Sequence, residues 1–508
     1  MRLGPGGGPL AVAGRCYVIA PAASAPPALY RALPVAYNER DRHQPPGRGR
    51  GRTGREESIG ATARQGRGDG NVIRSTRRAQ LAGAAVSVSA GALAAACAAP
   101  GAAPERKTLA PASLTYTTWW LPPLMSGVAT EKAVQAFQGR FPSVTVRVEP
   151  LSDPAAAKQM EKVQTMAAGG APPDISLLRP QYPGGFAARG LLLALDDRLQ
   201  RDRRAARPDF IPVQLERATW QGKLWGLPAE AWFLITYFNP AIFARAGQSP
   251  PSESWTWDAW LEAAKRIALL PADSGPGSRV FATDDVGMWE PLVWAWGGEI
   301  LSKSERECLL NRPPAPEAIQ WRADLSNRHA VVPTAQDLAE VKDGVRGLFQ
   351  QGRLGMFTTG NWALTDVQAG AQMPWSVAPL PQGKAGRVTL GSGAIYGAFK
   401  EGKQPDAAWE LLADLVLGGA ARVMATESSM LPSLKSMIRP EALPHYRPEW
   451  LTVVQQVIGG ARQPHYNHPR YIEINQVFTD QLTPVWRGQK PARDATDEIV
   501  RLVTPMLG

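Results

Sequence analysis

The sequence predicts an α/β fold with mostly parallel sheets, preceded by a segment for export from the cell. Two observations support this fold class. From Ser113 onward, short strand-like patterns alternate with helix-like patterns, and this order is typical of parallel sheets covered by helices. The first 97 residues differ sharply from the rest in composition and charge, so they do not contribute to the same folded body.

The front of the chain carries most of its net positive charge. The whole chain has a net charge of +11, but residues 1–97 hold 14 arginines and 5 acidic residues, which leaves 42 basic and 40 acidic residues in the remainder. A nucleic-acid-binding surface is therefore not expected in the folded part. Residues 1–74 are rich in Gly, Pro, Arg and Ala without any period. They are either a disordered extension or the product of a translation start assigned too early.

Residues 75–97 have the features of a bacterial signal peptide. Arg77 and Arg78 precede the apolar stretch 81–96, whose 16 residues are mostly small and too short to predict a membrane span. The paired arginines resemble a twin-arginine signal, although a general secretory signal also begins with basic residues, so both export routes remain open.

Cys97 is predicted to carry a lipid anchor. The sequence Leu-Ala-Ala-Ala-Cys at 93–97 resembles a lipobox, although the usual leucine stands one position further out; the alternative is a cysteine in an ordinary signal peptide. Residues 98–112, rich in Ala and Pro, would then be a tether. Cys16 lies upstream of the signal peptide, so Cys308 is the one cysteine left besides the proposed anchor, and neither an internal disulfide in the exported part nor a CxxC metal or redox pair is expected.

The folded part begins with a βαβ pattern. Residues 114–118 and 144–148 read as strands, and residues 129–137 between them place small and aromatic side chains on one helical face. A helix at about 155–166 leads through Gly and Pro into a short buried strand at 174–178. In such sheets, ligands bind in the crevice at the carboxyl ends of the strands.

A second run of elements follows. Residues 220–228 predict a hairpin and residues 231–238 a strand. Thr256 is a plausible N-cap for a helix in which Trp257 and Trp260 follow helical spacing, so we expect both tryptophans in the core.

Several of these segments together resemble the family 1 extracellular solute-binding proteins, the group that includes maltose-binding protein. Residues 222–228 (Gly-Lys-Leu-Trp-Gly-Leu-Pro), 237–247 (Tyr-Phe-Asn-Pro-Ala-Ile-Phe-Ala-Arg-Ala-Gly) and 255–258 (Trp-Thr-Trp-Asp) are similar to family motifs in the same order. Residues 355–362 (Gly-Met-Phe-Thr-Thr-Gly-Asn-Trp) and 407–412 (Ala-Ala-Trp-Glu-Leu-Leu) continue the series. The resemblance covers about 113–508, and Pro240 replaces the usual lysine at a turn.

The resemblance implies a two-lobed, type II periplasmic-binding-protein-like fold, in which each lobe is a mostly parallel sheet flanked by helices and the ligand cleft lies between the lobes. We assign 113–228 with 388–428 to lobe one, and 229–387 with 429–508 to lobe two. The chain would cross between lobes near 227–232 and again near 381–391.

The implied function is that of the substrate-binding component of an ABC importer, which captures a carbohydrate by hinge closure and delivers it to membrane permease subunits. The protein would be a lipid-anchored monomer on the outer face of the cytoplasmic membrane, without a cofactor, a metal or enzymatic activity.

The candidate ligand-binding residues combine aromatic rings with hydrogen-bonding groups, as sugars require. Trp119 and Trp120 directly follow the first strand, and are either ligand platforms or packing residues below a proline turn. Arg179 follows a later strand and is either a ligand donor or part of a surface ion pair. Glu230 and Trp232 lie at the first crossing, where they serve either the cleft or the hinge.

Four further candidates belong to later segments. Trp289, at the start of a predicted helix, is expected to face the ligand, whereas Trp294 is assigned to the core. Asn361 and Trp362 follow a strand and a Thr-Thr-Gly turn, which makes Trp362 the platform on lobe two. Tyr396 lies on the segment that returns to lobe one, at the cleft edge.

Rival functions remain open at this stage. Glu230, Glu290 and Glu299 offer carboxylates from which a glycoside hydrolase could form a pair. A surface adhesion lipoprotein could share the fold, and the solute could be a polyol or a polyamine. His465 and His468 are the only close histidine pair, but their setting argues against a metal site.

Overall fold

The computed structural model describes residues 108–508 apart from residues 205, 206, 272–278, 340 and 466. The predicted N-terminal extension, the signal peptide, Cys97 and most of the proposed tether lie outside the described residues. Within the described part, the tether region ends where the first strand begins at Ala112.

Two five-stranded sheets and a small hairpin organise the described residues. The strands are β1 (Ala112–Thr118), β2 (Val144–Pro150), β3 (Ile175–Leu178), β4 (Thr219–Trp220), β5 (Lys223–Leu224), β6 (Leu227–Pro228), β7 (Trp232–Phe238), β8 (Met356–Gly360), β9 (Ser376–Ala378), β10 (Thr389–Ser392), β11 (Ile395–Ala398) and β12 (Ala461–Arg462). Sheet one has the order β2-β1-β3-β11-β6. Sheet two has the order β12-β10-β7-β8, with β9 also paired to β7, and β4 and β5 form the hairpin.

Each sheet contains one strand that runs against the others. In sheet one, β1 pairs in parallel with β2 and β3, whereas β11 is antiparallel to both β3 and β6. In sheet two, β7 is antiparallel to β8, β9 and β10, and only β10 and β12 pair in parallel. Four of the five strands of sheet two therefore point the same way, as expected, although three of its four pairings involve the reversed strand β7 and are antiparallel. The reason is that the reversed strands, β7 and β11, are those by which the chain enters each sheet from the other, and β7 lies at the centre of its sheet.

Helices cover both sheets. Their bounds are α1 (Met125–Arg140), α2 (Ala156–Ala168), α3 (Pro183–Ala188), α4 (Asp196–Arg201), α5 (Pro212–Arg217), α6 (Pro240–Arg245), α7 (Trp257–Ala268), α8 (Glu290–Trp296), α9 (Ala315–Asn327), α10 (Ala335–Leu338), α11 (Gly344–Gln350), α12 (Leu364–Gly370), α13 (Pro405–Leu417), α14 (Gly419–Glu427), α15 (Pro448–Ile458), α16 (Tyr471–Trp486) and α17 (Ala492–Val503). Short 3-10 helices lie at Arg207–Asp209, Asn361–Ala363, Lys435–Met437, Pro440–Ala442 and Thr504–Met506.

Local sequence explains several helix starts. The side chain of Thr256 accepts a hydrogen bond from the Ala259 N–H, as an N-cap does, and Asn239 caps α6 in the same way. Both Trp257 and Trp260 are buried in the core of lobe two, which confirms their predicted place. Helix α13 is buried over most of its surface because it packs between sheet one and neighbouring helices.

The apolar core divides according to the sheets. One cluster joins α1, α13 and α14 to sheet one, and two further clusters cover sheet two, one with α7–α9, α16 and α17 and the other with α11, α12 and α15. We refer to sheet one with its helices as lobe one, and to sheet two with its helices as lobe two. The cores of the two lobes are therefore largely separate, although the cluster with α11, α12 and α15 also includes Ile211, Val213 and Ala425.

The chain crosses between the lobes by short segments. The first crossing is 229–231, between β6 and β7, within the predicted segment. The second is 393–394, between β10 and β11, so the prediction of 381–391 is wrong, as is the assignment of residues 388–392 to lobe one. The hydrogen bonds from β10 to β7 keep Thr389–Ser392 in sheet two. A third passage runs through Ser429 and Met430, after which Leu431 bridges to Ala231.

Candidate functional site

A cavity of about 490 Å³ lies between the lobes. It opens at the carboxyl ends of β1, β3, β6 and β8 and at the amino ends of the reversed strands β7 and β11, the position at which α/β folds bind ligands. Six of the nine predicted site residues line it, and they come from both lobes and from the first crossing: Trp119, Trp120, Arg179, Glu230, Trp232 and Trp362.

Arg179 and Trp119 form a stacked pair on lobe one. The guanidinium carbon of Arg179 lies 4.1 Å from the centre of the Trp119 ring, at cation–π distance. Its Nε and Nη2 both donate to Oε1 of Gln159, at 3.1 and 2.8 Å. Two hydrogen bonds to Gln159 and the stacking on Trp119 therefore hold the guanidinium in place. One face of Trp119 is covered by the guanidinium, so only its other face is left for a ligand.

Trp120 is more buried than Trp119. It is 6% exposed, and the edge of its ring meets Tyr396 with the ring centres 6.0 Å apart. Tyr396 is 1% exposed and also contacts Tyr116, so it lies behind Trp120 and not at the cleft edge, where we expected it. The reason is that β11 is an inner strand of sheet one, and its side chains are covered on both faces.

Glu230 lies where the cavity meets the first crossing between the lobes. It is half-buried on the first crossing, and its Oε1 accepts a hydrogen bond of 3.3 Å from the Ala394 N–H on the second crossing. Burial raises the pKa of Glu230, while the Ala394 N–H and the charges of Arg217 and Arg179 oppose that rise. Arg217 is fully buried, and its Nη1 lies 3.5 Å from Oγ of Ser392. A carboxylate that faces the cavity is therefore part of the link between two crossings.

Trp232 and Trp362 form the aromatic wall of lobe two. Their rings meet edge to face at 4.8 Å and 87°. Trp362 is 41% exposed, a large fraction for a side chain with so much apolar surface. A Cβ on Gly360 would fall 1.8 Å from the Trp362 ring, so glycine is required for the ring to lie back over the end of β8.

Asn361 and Trp289 do not line this cavity. Asn361 is buried, and its amide is used by Phe233 N–H, at 2.7 Å, and by the Tyr446 hydroxyl, at 2.9 Å. It ties the end of β8 to β7 and so positions Trp362. Trp289 meets Phe478 of α16 edge to face at 5.7 Å, because the start of α8 packs on the core of lobe two. The expectation that Trp289 faces the cleft is therefore wrong.

Other lining residues were not predicted from the sequence. They are Leu124, Met125, Ser126, Ala156, Pro180, Gln181, Thr365, Asp366, Ala394, Ser429 and Met430. Most are neighbours of predicted residues, on the turns that follow β1, β3 and β8. Ser429 and Met430 lie on the third passage between lobes, and the available signal was the predicted lobe boundary at 428.

The carboxylates of the enzyme alternative do not meet in this cavity. Glu299 forms an ion pair of 2.6 Å with Arg462. Glu290 is buried within lobe two, near Asp284 and Arg322, and burial raises its pKa to about 7. Only Glu230 of the three lines the cavity.

The histidine pair is also accounted for by protein contacts. His465 Nδ1 lies 2.9 Å from Oε1 of Glu305, and His468 Nδ1 accepts from the Arg470 N–H at 3.2 Å. Among the described residues, no cluster of three or more His, Cys, Asp or Glu side chains could hold a metal ion.

Comparison with known sequences decides the family. The sequence model of the bacterial extracellular solute-binding proteins matches residues 122–415, more than half of the chain. The chain belongs to this family. A putative binding protein of Brucella abortus is 26% identical over 289 residues, 56% of this chain and 68% of that protein. The maltodextrin-binding protein MdxE of Bacillus subtilis is 23% identical over 251 residues, 48% of this chain and 55% of MdxE.

Solved structures of solute-binding proteins share the fold. The ABC substrate-binding protein Lmo0181 of Listeria monocytogenes, solved with cycloalternan, matches with a TM-score of 0.67 and 21% identity over 78% of this chain and 99% of that one. The predicted two-lobed periplasmic-binding-protein fold is thus confirmed. Proteins of this family are extracellular binding proteins by description. No helix within the described residues is long and apolar enough to cross a membrane.

Proposed function

We propose that this solute-binding protein captures a neutral, polyhydroxylated ligand, a saccharide, between its lobes. The observation that carries the proposal is the lining of the cavity: one arginine and one half-buried carboxylate stand among tryptophans from both lobes. A sugar ring has apolar C–H faces and a rim of hydroxyl groups, so it needs aromatic surface and polar groups together.

Arg179 and Glu230 suit a pair of hydroxyl groups. Two of the guanidinium nitrogens are fixed by Gln159, and the group keeps further N–H donors, since a guanidinium has five. Glu230 can only accept when it is ionised. A hydroxyl group both donates and accepts, so neighbouring hydroxyls can accept from Arg179 and donate to Glu230.

The charges of the cavity favour a neutral ligand over the alternatives. A polyamine would need several carboxylates, but the ionisable lining residues are Arg179, Glu230 and Asp366. Asp366 already bonds to Arg346 at 2.6 Å. A phosphate would need more cations than Arg179 alone.

The relatives support the same ligand class. MdxE is named for maltodextrin, and the Listeria structure contains cycloalternan. The proposed role is that of an ABC importer component without catalysis, which hands its ligand to permease subunits. A lipid anchor at Cys97 would keep the monomer on the outer face of the cytoplasmic membrane.

The proposed mechanism is closure of the lobes on the ligand. The crossings are short, and Glu230 contacts the second crossing through Ala394, so a ligand at Glu230 acts where the lobes rotate. Closure follows only if the ligand binds the closed arrangement better than the open one. That requirement separates a transport receptor from an adhesion protein with the same fold.

A thermal-shift screen of residues 98–508 tests the proposal with mono- and oligosaccharides, and with polyols and polyamines as controls. A ligand at 100 times its Kd stabilises the native state by about 2.7 kcal/mol, which raises Tm measurably. Trp362→Ala should weaken saccharide binding by about tenfold or more, whereas Trp220→Ala, at a half-buried tryptophan of the hairpin, should not. Binding of a polyamine with no response to any saccharide would overturn the proposal.

A further inference from the structure

Exposed apolar side chains are concentrated at the mouth of the cavity. The described residues include six exposed large apolar side chains, and four of them are near this opening: Leu124 at 58%, Met125 at 39% and Val128 at 38% on lobe one, and Trp362 at 41% on lobe two. Leu124, Met125 and Trp362 line the same cavity as Glu230. Val128 lies one helical turn beyond Leu124, so it extends the same side of α1 outward.

The residue type at Leu124 is unfavourable for the helix that it precedes. Leu124 is the N-cap of α1, and no side chain caps the helix there. Ser, Thr, Asp and Asn are preferred at this position because their side chains accept a hydrogen bond from the free N–H groups. A leucine gives up that bond and exposes apolar surface to water, so neither helix stability nor core packing explains it.

Two polar groups of the cavity, Glu230 and Arg179, are half-buried. Glu230 is on the crossing, and Arg179 is held against Trp119 at the end of β3. Met430, on the third passage, also lines the cavity and adds flexible apolar surface. The site therefore combines a charged pair at the crossing and β3 with exposed apolar side chains at its opening, where Ser126, Thr365 and Asp366 are also present.

We propose that the ligand is amphipathic: a glycoside whose hydroxylated part binds at Glu230 and Arg179 and whose alkyl or aryl aglycone lies against Leu124, Met125 and Trp362. This inference rests on the proposed saccharide function. The occupant is part of the ligand, and not a protein partner, because Leu124 and Met125 are walls of the ligand cavity itself.

The test compares matched glycosides. Methyl and hexyl glycosides of glucose, galactose and maltose are titrated into the protein by calorimetry, below the concentration at which the hexyl compounds aggregate. Each CH₂ removed from water strengthens binding, so the hexyl member of the pair that binds should have a Kd at least about tenfold lower. Equal Kd values for both members would overturn the inference and leave the saccharide function intact.

Substitutions at Leu124 and Met125 test whether these two residues bind the aglycone. In the double variant Leu124→Ser with Met125→Gln, the ratio of methyl to hexyl Kd should fall towards one, and any loss common to both compounds leaves this ratio unchanged. Leu269→Ser is the matched control, because Leu269 is 77% exposed on lobe two and does not line the cavity. The control should keep the ratio of the unmodified protein. Leu124→Ser also supplies a capping residue, so a folding defect is not expected.

The remaining outcomes are also decisive. An unchanged ratio in the double variant would overturn the inference, since the aglycone would then lie elsewhere, or Leu124 and Met125 would serve only to bring the lobes together. Binding of neither member of any pair, together with no saccharide response in the thermal screen, would overturn the saccharide function and this inference with it.

Discussion

A contact between the lobes offers a direct test of closure. Gly184, in α3 of lobe one, lies against the backbone of Asn467, on the lobe-two segment between β12 and α16. The Asn467 side chain also donates to the Thr219 carbonyl of lobe one at 3.0 Å. The contact joins the lobes in the arrangement of this structure, which we take as the closed one, so a side chain added at Gly184 should oppose closure.

The substitution Gly184→Ala gives the expected size of the effect. The added Cβ would fall 1.9 Å from the Asn467 carbonyl oxygen and 2.6 Å from its carbonyl carbon. Since carbon contacts are normally 3.5–4.0 Å, the two backbones must separate by roughly 1.5 Å. A rotamer change cannot relieve this clash, because a Cβ and a backbone carbonyl group have no rotamers. The separation also loses the hydrogen bond to Thr219, worth about 1 kcal/mol. We expect the closed state to be penalised by roughly 1.4–3 kcal/mol, and the apparent Kd to rise about 10- to 100-fold.

Calorimetry with the tightest saccharide from the screen measures the Kd, and a melting curve without ligand measures stability. The free protein should retain its Tm within a few degrees, because the cores of the two lobes are largely separate. Gly139→Ala is the matched control, since this glycine is in α1 and nothing lies within 4 Å of its added Cβ. A Gly184→Ala protein that binds the saccharide within twofold of the unmodified protein would refute the reasoning.

Two further predictions concern stability and location. Burial raises the pKa of Glu290 to about 7 from 4.5, so the stability that its protonated form provides is lost as the pH rises from about 4.5 through 7. Glu290→Gln should therefore raise the free energy of unfolding, measured from melting curves, more at pH 8 than at pH 5, by up to about 3 kcal/mol; an equal gain at both pH values would contradict this. Cys97→Ser should release the full-length protein from the membrane fraction, and complete retention there would disprove the lipid anchor.

Local patterns in the sequence predicted the elements well. The first three strands, the helices between them and the cap at Thr256 all depend on residues close together in the chain. Apolar period and capping chemistry act over such short distances, so they can be read without the partner elements. The same reasoning placed Trp257 and Trp260 in the core.

Non-local pairing could not be predicted in this way. The residues of β10 have no feature that assigns them to one sheet over the other, and their place is decided by hydrogen bonds to β7, more than 150 residues earlier. The antiparallel pairing of β7 has the same origin. The second crossing was therefore placed wrongly, and the antiparallel pairs around β7 were not expected.

The site predictions divide in the same way between local and non-local effects. Residues that directly follow a strand, such as Trp119, Arg179 and Trp362, reach the cavity because the strand end fixes their position. Trp289 and Tyr396 were chosen by residue type within a longer segment. Their direction depends on α16 and on the neighbours of β11, which the sequence pattern does not reveal.

In the proposed mechanism, Glu230 couples ligand capture to lobe movement through a single group. Its carboxylate faces the cavity, accepts from Ala394 on the other crossing and lies in the field of the buried Arg217. A Cβ on the adjacent Gly393 would fall 2.3 Å from the Glu230 carbonyl oxygen, so the two crossings are already in close contact. A ligand hydroxyl that bonds to this carboxylate alters its hydrogen bonding at the point about which the lobes turn. In the proposed mechanism, the energy of binding therefore acts on the crossings directly and does not have to pass through either lobe.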